Sequence, residues 1–408
     1  MDGPQARGYN EDASMTIYFV AGEVSADNHG AALMRSLRKS DPTLKFIGRG
    51  GPQMRQVAGA QFKNWIGEAA VLGLWEVLRN YGYFREQFHQ TLSEIQEGKP
   101  DAVVLIDYPG FNLRLARALR RQLPKQNIIY YISPQVWAWN RGRIKKMVRF
   151  IDLVLCIFPF EADLYTASGL RAVFVGHPAI ERLETQKVDA QRDPNLVGLF
   201  PGSRSRELRQ IFPVMIEAAV LLLQTKPTLH FQVAAASEEL AREMNEMLGD
   251  ATQHRAMIEI AVGQTANIMQ RALVGIVASG SATLEAAYFR MPFVLIYKVA
   301  WPTYVAARLV VNVDYLGMPN LLADKEVVQE FIQHQAKPEP IARAVRSLME
   351  DAHAHDRMVS GFDAIIGKLG GSGASERAAQ AIIAELKSRH IGTDRIGGLE
   401  TAAPWTTQ

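Results

Sequence analysis

Thr16-Ile17-Tyr18-Phe19-Val20-Ala21-Gly22-Glu23-Val24-Ser25 is a strand-like run closed by a turn. Just beyond it, His29, Leu33 and Leu37 fall at i, i+4 and i+8, the spacing of one helix face. A short β-rich run followed by a helix is the repeating unit of a parallel sheet wrapped by helices. The unit recurs at 45–47, 102–106, 128–132, 153–157 and 172–175, and again at 196–200, 230–234, 258–262, 274–278 and 292–297. The polar segment 184–194 separates the two series and reads as a linker. The expected architecture is α/β, with two Rossmann-like domains over 15–183 and 193–366. A last helix over 367–390 is placed to pack back on the first domain. Ligands of open parallel sheets bind beyond the carboxyl ends of the strands. Two such domains facing each other therefore predict an interdomain cleft as the place of the chemistry.

Bulk composition agrees with two domains. A chain of 408 residues with 48% hydrophobic content exceeds one typical core. The 45 Lys+Arg nearly balance the 42 Asp+Glu, so no nucleic-acid partner is expected. The single cysteine, Cys156, sits in a strand-like run and reads as a small buried thiol, which suits a reducing cytosol. The first fourteen residues are polar and lack the apolar core of a secretory signal. No run of about 18 apolar residues marks a membrane span. Residues 397–408 read as a loose tail.

Several segments carry polar groups where chemistry is expected. In Val103-Val104-Leu105-Ile106-Asp107-Tyr108-Pro109, Asp107 falls at the tip of a strand. A carboxylate there serves as a general base if an acceptor hydroxyl is within reach, or else caps a turn before Pro109. Glu23, Asp27 and His29 around the first turn are rival bases. Gly202-Ser203-Arg204 follows the strand at 196–200 and opens a helix. Glycine permits close approach, the helix terminus offers N–H groups to an anion, and Arg204 adds a fixed charge for a diphosphate. The alternative is a serine-capped helix with solvated arginines. Ser279-Gly280-Ser281-Ala282-Thr283-Leu284-Glu285 repeats that design. Glu285 suits vicinal ribose hydroxyls, or simply the helix dipole.

Trp137, Asn140 and the basic run Arg141, Arg143, Lys145, Lys146 and Arg149 either line a sugar-phosphate cleft or face an anionic membrane, or form a solvated helix face. The apolar stretch 71–84 is either a buried helix or a surface for acyl chains. No Walker A sequence and no metal-ligand spacing occurs, so metal-independent chemistry with no cofactor is expected.

Taken in order, these segments resemble the lipid-A-disaccharide synthase family over roughly 15–385. The matching runs are 21–30, 50–54, 106–112, 133–143, 156–161, 175–178, 201–204, 279–285 and Met318-Pro319-Asn320-Leu321-Leu322. The resemblance implies a GT-B-type fold and an inverting glycosyltransferase. It implies UDP-2,3-diacylglucosamine as donor, 2,3-diacylglucosamine 1-phosphate as acceptor, and work at the cytoplasmic face of a Gram-negative inner membrane. Peripheral contact with that membrane surface follows, and the oligomeric state stays open. The residues it points to are Asp107 and Arg204 for catalysis, with Glu23, Ser25, His29, Trp137, Asn140, Gly202, Ser203, Ser281, Ala282, Thr283, Glu285 and Asn320 for substrate. Two positions depart from the family. Ala26 stands where glycine is usual, which predicts a slightly reshaped first loop, and Ser281 stands where threonine is usual.

Overall fold

The computed structural model describes residues 14–66, 81–134, 137, 142–249, 255–299, 301, 304 and 314–397. Most of the apolar stretch 71–84, as well as Asn140 and Arg141, lies outside the described residues. The described residues of Met1–Trp137, Arg141–Pro178 and Gly373–Gln408 form one compact unit, and those of Ala179–Ser372 form a second.

The first unit is built on a parallel sheet of β1 (Thr16–Ala21), β2 (Lys45–Gly50), β3 (Lys63–Asn64), β4 (Ala102–Ile106), β5 (Asn127–Tyr131), β6 (Leu153–Cys156) and β7 (Ala172–Phe174). Their order is β3-β2-β1-β4-β5-β6-β7. All five residues of β4 are buried, as expected of a strand covered on both faces. The helices are α1 (Val24–Ser40), α2 (Pro52–Ala58), α3 (Tyr81–Gly98), α4 (Pro109–Gln122), α5 (Gly142–Met147) and α6 (Pro159–Ala167). The C-terminal helix, Ala374–Gly397, packs on α1. Lys39 pairs with Glu376 at 3.0 Å, Arg377 Nε donates to the Val175 carbonyl at 2.8 Å, and Arg389 pairs with Asp152 at 2.6 Å.

The second unit carries β8 (Asp193–Phe200), β9 (His230–Ala235), β10 (Ile258–Val262), β11 (Ala272–Ala278), β12 (Phe293–Tyr297) and β13 (Glu330–Ile332), in the order β10-β9-β8-β11-β12-β13. Its helices are α7 (Pro178–Thr185), α8 (Ser205–Thr225), α9 (Glu238–Leu248), α10 (Thr265–Arg271), α11 (Ser281–Tyr288), α12 (Met318–Ala323), α13 (Pro338–Glu350) and α14 (Ala352–Gly367). Among the described residues, α8 alone is long and apolar enough to cross a membrane, and half of that window is buried within the unit.

Both sheets are doubly wound, and in each the strand order reverses beside the first strand. The reversal lies between β1 and β4 in the first unit and between β8 and β11 in the second. Ala21 pairs with Ile106, and Phe200 with Val277. The loops that follow these strands therefore emerge side by side, at the point where such sheets bind ligands.

The expected linker 184–194 is instead docked on the second unit. The Gln270 side chain accepts from Val188 N at 2.8 Å and donates to the Gln186 carbonyl at 2.9 Å. Arg192 donates to the carbonyls of Met269, Ala272 and Phe289. Most of its polar side chains stay exposed, while its backbone and Arg192 tie it to the domain, and the boundary falls at Pro178.

Candidate active site

β4 ends at Ile106, and the Asp107 N–H still donates to the Tyr131 carbonyl at 3.0 Å. The chain then leaves the sheet through two left-handed residues, Asp107 (φ 46°) and Tyr108 (φ 48°). A left-handed non-glycine residue costs roughly 1–2 kcal/mol, and such strain persists only where neighbours impose it. Here they do. The Asp107 carbonyl accepts from Asn112 Nδ2 at 2.8 Å and from the Tyr130 hydroxyl at 2.5 Å. Pro109 then opens α4 with its φ already set. The Asp107 side chain is half-buried at the strand tip. Burial, and secondarily the charge of Glu23, push its carboxyl up to about 6. Glu23 caps α1 with an exposed side chain at the end of the adjacent strand.

The rival bases separate by environment. Asp27 is 2% exposed and accepts from Gly51 N at 3.0 Å, Gln53 N at 2.9 Å and Met54 N at 2.9 Å. Those bonds occupy it as a cap of α2, contributed from another helix. Ser25 is exposed and His29 half-buried on α1. Ala26 lies inside α1 and is fully buried, in a helical position that needs no positive φ.

An apolar feature adjoins Asp107, and it takes in Phe84, the last residue of the stretch 71–84 expected to pack as a helix or to meet acyl chains. Phe84, Phe88, Tyr108 and Phe111, with Arg85 and His89, line a slot of about 520 Å³. Trp65 closes its back, 5.1 Å from Phe111 and 6.3 Å from Tyr108 between ring centroids. Gly22 makes room for Tyr108, since a Cβ there would lie 2.3 Å from the ring. The slot's remaining aromatic residues, Phe88, Tyr108 and Phe111, could not be joined to that stretch from sequence, because the slot depends on α3 lying beside α4.

In the second unit, Gly202 (φ +102°) and Gly280 (φ +147°) follow β8 and β11. No atom lies within 4 Å of a Cβ built on Gly280, and the nearest to one on Gly202 is 3.5 Å away. Neither α8 nor α11 has a side-chain cap at its N-terminus. Unclaimed N–H groups, open space above glycine and an exposed Arg204 together suit an anion. Arg204 pairs with Glu207 at 3.0 Å, and its side chain is 79% exposed. Ser203 and Ser281 are exposed and Ala282 half-buried. Glu285, one turn into α11, pairs with Arg182 of α7 at 2.9 Å. Arg182 was missed because it lay beside the presumed linker.

Three expected ligands turn inward. Thr283 is fully buried and its hydroxyl donates to the Gly280 carbonyl at 2.8 Å, fixing the turn. Trp137 is 8% exposed, and its Nε1 donates to Glu161 at 2.9 Å. Burial pushes that carboxyl up to about 7. Asn320 is fully buried; its oxygen accepts from Val327 and Val328 N–H at 2.7 and 2.8 Å, and its nitrogen donates to Val328 O and Glu330 at 2.7 and 2.8 Å. With its hydrogen-bonding capacity used internally, Asn320 holds the chain after α12 instead of facing substrate. Among the described residues no group of three or more His, Cys, Asp or Glu side chains forms a metal site.

The sequence matches the family model described as lipid-A-disaccharide synthetase over residues 17–382. A lipid-A-disaccharide synthase of Geobacter sulfurreducens is 37% identical over 389 residues, covering 93% of this chain and all of that protein. Two solved structures share the fold. One is the UDP-GlcNAc 2-epimerase of Neisseria meningitidis bound to UDP-GlcNAc, with a TM-score of 0.55, 13% identity, and coverage of 92% of this chain and 100% of that one. The other is the calicheamicin glycosyltransferase CalG4, with a TM-score of 0.53, 14% identity and coverage of 92% and 99%. The fold is thus of the two-domain GT-B type, and the chain belongs to the lipid-A-disaccharide synthetase family, glycosyltransferases of lipid A synthesis.

Proposed function

We propose that this enzyme joins UDP-2,3-diacylglucosamine to 2,3-diacylglucosamine 1-phosphate, giving a β-1,6-linked disaccharide 1-phosphate and UDP by a single inverting displacement. The first unit takes the acceptor. Asp107 removes the proton of the acceptor 6-hydroxyl as that oxygen bonds to the anomeric carbon of the donor. The bond from that carbon to the UDP oxygen breaks, and its electron pair leaves with UDP. The second unit takes the nucleotide. Arg204 and the uncapped N-termini at Gly202 and Gly280 neutralise the diphosphate, and Glu285 accepts from the ribose hydroxyls.

The observation that carries the reading is Asp107 itself, held in a strained turn at the strand reversal with its carboxyl raised to about 6. A base with that value is ionised at neutral pH yet still basic enough to take a proton. The aromatic slot beside it suits an acylated acceptor better than the bare sugar of an epimerase. Such an acceptor sits in a bilayer, so peripheral work at the cytoplasmic face of the inner membrane belongs to the same reading.

The test is turnover of both substrates in detergent micelles with EDTA, followed by mass spectrometry. Disaccharide and UDP in equal amounts are expected. UDP without disaccharide, or epimerised UDP-N-acetylglucosamine when that sugar is offered alone, would overturn the assignment.

A further inference from the structure

The face of α4 opposite the core is strongly basic. Phe111, Leu115, Ala116 and Leu119 are buried beneath it, while Arg114, Arg117 and Arg121 are exposed. With Gly110 these positions fall at i, i+4, i+7 and i+11, a single stripe about 16 Å long. Across a groove of about 590 Å³, Arg143, Lys146 and Arg149 of α5 and its exit face that stripe. No carboxylate lines the groove among the described residues. Among the described residues, Arg114, Arg117, Arg121, Lys146 and Arg149 enter no ion pair, whereas Arg120 turns to Asp152. A chain with a net charge of only +3 thus gathers seven cations on one groove, one of them, Arg120, paired with Asp152. Gly110 and Arg114 are shared with the aromatic slot, so the basic groove and the apolar slot open next to each other.

We propose that this groove docks the enzyme on phosphate headgroups of an anionic lipid surface. The inference rests on the lipid-substrate reading above and adds the face that meets the bilayer. Unpaired like charges along a helix are self-repelling, and an anionic surface relieves that repulsion. The stripe is longer than one phosphate group and its charge exceeds that of one, which favours a field of headgroups over a single bound phosphate. Docking here brings the mouth of the slot, and Asp107 at the start of α4, to the level at which acyl chains enter water.

The experiment is co-sedimentation of the full chain with vesicles of phosphatidylcholine alone or with phosphatidylglycerol added. The parent protein should sediment with the anionic vesicles and be released by high salt, because exposed charges are screened within about a Debye length. A basic side chain near such a surface contributes about fivefold. R117E/R121E should therefore weaken binding at least about tenfold, as should K146E/R149E on the other wall. Both variants should keep the parent's melting temperature and its turnover in detergent micelles. Undiminished vesicle binding by both, or equal binding of the parent to neutral vesicles, would overturn the proposal. So would unchanged vesicle binding with a raised acceptor KM in micelles, which would make the groove a substrate phosphate site. If the parent makes no disaccharide in micelles, the functional reading fails, whatever the vesicles show.

Discussion

At the scale of single residues, Asp107 combines two costs, a left-handed backbone and a carboxylate held out of water. Both are paid for by the surrounding fold, as expected where function takes precedence over stability. Asp107→Asn should lower kcat by about 10²–10⁴-fold while leaving UDP affinity unchanged. The sign for stability follows from linkage. Its folded-state carboxyl is raised from 3.8 to about 6, so the neutral form is favoured by folding. That contribution is complete below about 3.8 and lost as pH rises through about 6. At neutral pH the permanently neutral asparagine should therefore melt no lower than the parent, which calorimetry can check. The same shift predicts kcat/KM rising with pH through about 6 and then levelling. Glu23→Gln, by removing a neighbouring negative charge, should move that limb to lower pH. A pH profile with the limb unmoved would mean that burial alone sets it.

At the scale of elements, buried polar residues decide what the sequence could and could not reveal. β4 was legible because its five residues are all apolar and are followed by Asp-Tyr-Pro-Gly, a composition with one sensible reading. β3 was not legible. It is two exposed polar residues, Lys63 and Asn64, made a strand only by pairing with Arg49 and Gly50. Asp107, Glu285 and the two glycine loops could be located because turns after strands follow chain order. Asn320 and Trp137 were misplaced because a polar residue that ties down a loop looks, in sequence, like one that faces a ligand. Asn320→Ala should accordingly act on stability. It leaves two N–H groups and a carbonyl unpaired, at roughly 1–3 kcal/mol for each buried group. Urea unfolding should show a loss of several kcal/mol, with kcat per folded molecule retained. Gly280→Ala should do the reverse. A Cβ there meets open space, so the cost is only the strain of its φ of +147°, about 1–3 kcal/mol. UDP affinity should fall more than the melting temperature does, as read by titration calorimetry against a thermal scan.

At the scale of the whole molecule, the two units are built on the same strand order but are stabilised against acid differently. The first contains Arg49, 1% exposed, in a network with Glu94, Gln87 and Gln90, and Tyr18 donates to Glu94 at 2.6 Å. Burial alone would raise the Glu94 carboxyl, but hydrogen bonds from Arg49, Lys63 and Tyr18 outweigh it and hold the group at about 2. Because the folded value lies below the unfolded one of 4.5, Glu94 contributes stability that is present above about pH 4.5. That contribution is lost as pH falls toward about 2. In the second unit, the lowered carboxyl of Glu184 is exposed and that of Glu243 pairs with a largely exposed Arg209, so their contributions are small. Asp107 and Glu161, raised to about 6 and about 7, act in the opposite sense, so loss of the Glu94 contribution should weaken the first unit only below about pH 4.5, where those two carboxyls are already neutral in the folded state. Trp65 reports on that unit, since its buried indole donates to the Ala21 carbonyl at 2.7 Å, at the end of β1. Glu94→Gln should flatten the acid limb of tryptophan fluorescence. It should also lower stability at neutral pH by about 3–5 kcal/mol, because it leaves a buried guanidinium without its counter-charge. If the limb keeps its slope in that variant, other carboxylates govern the acid response. If neutral stability is also unchanged, Arg49 is satisfied by Gln87 and Gln90 alone.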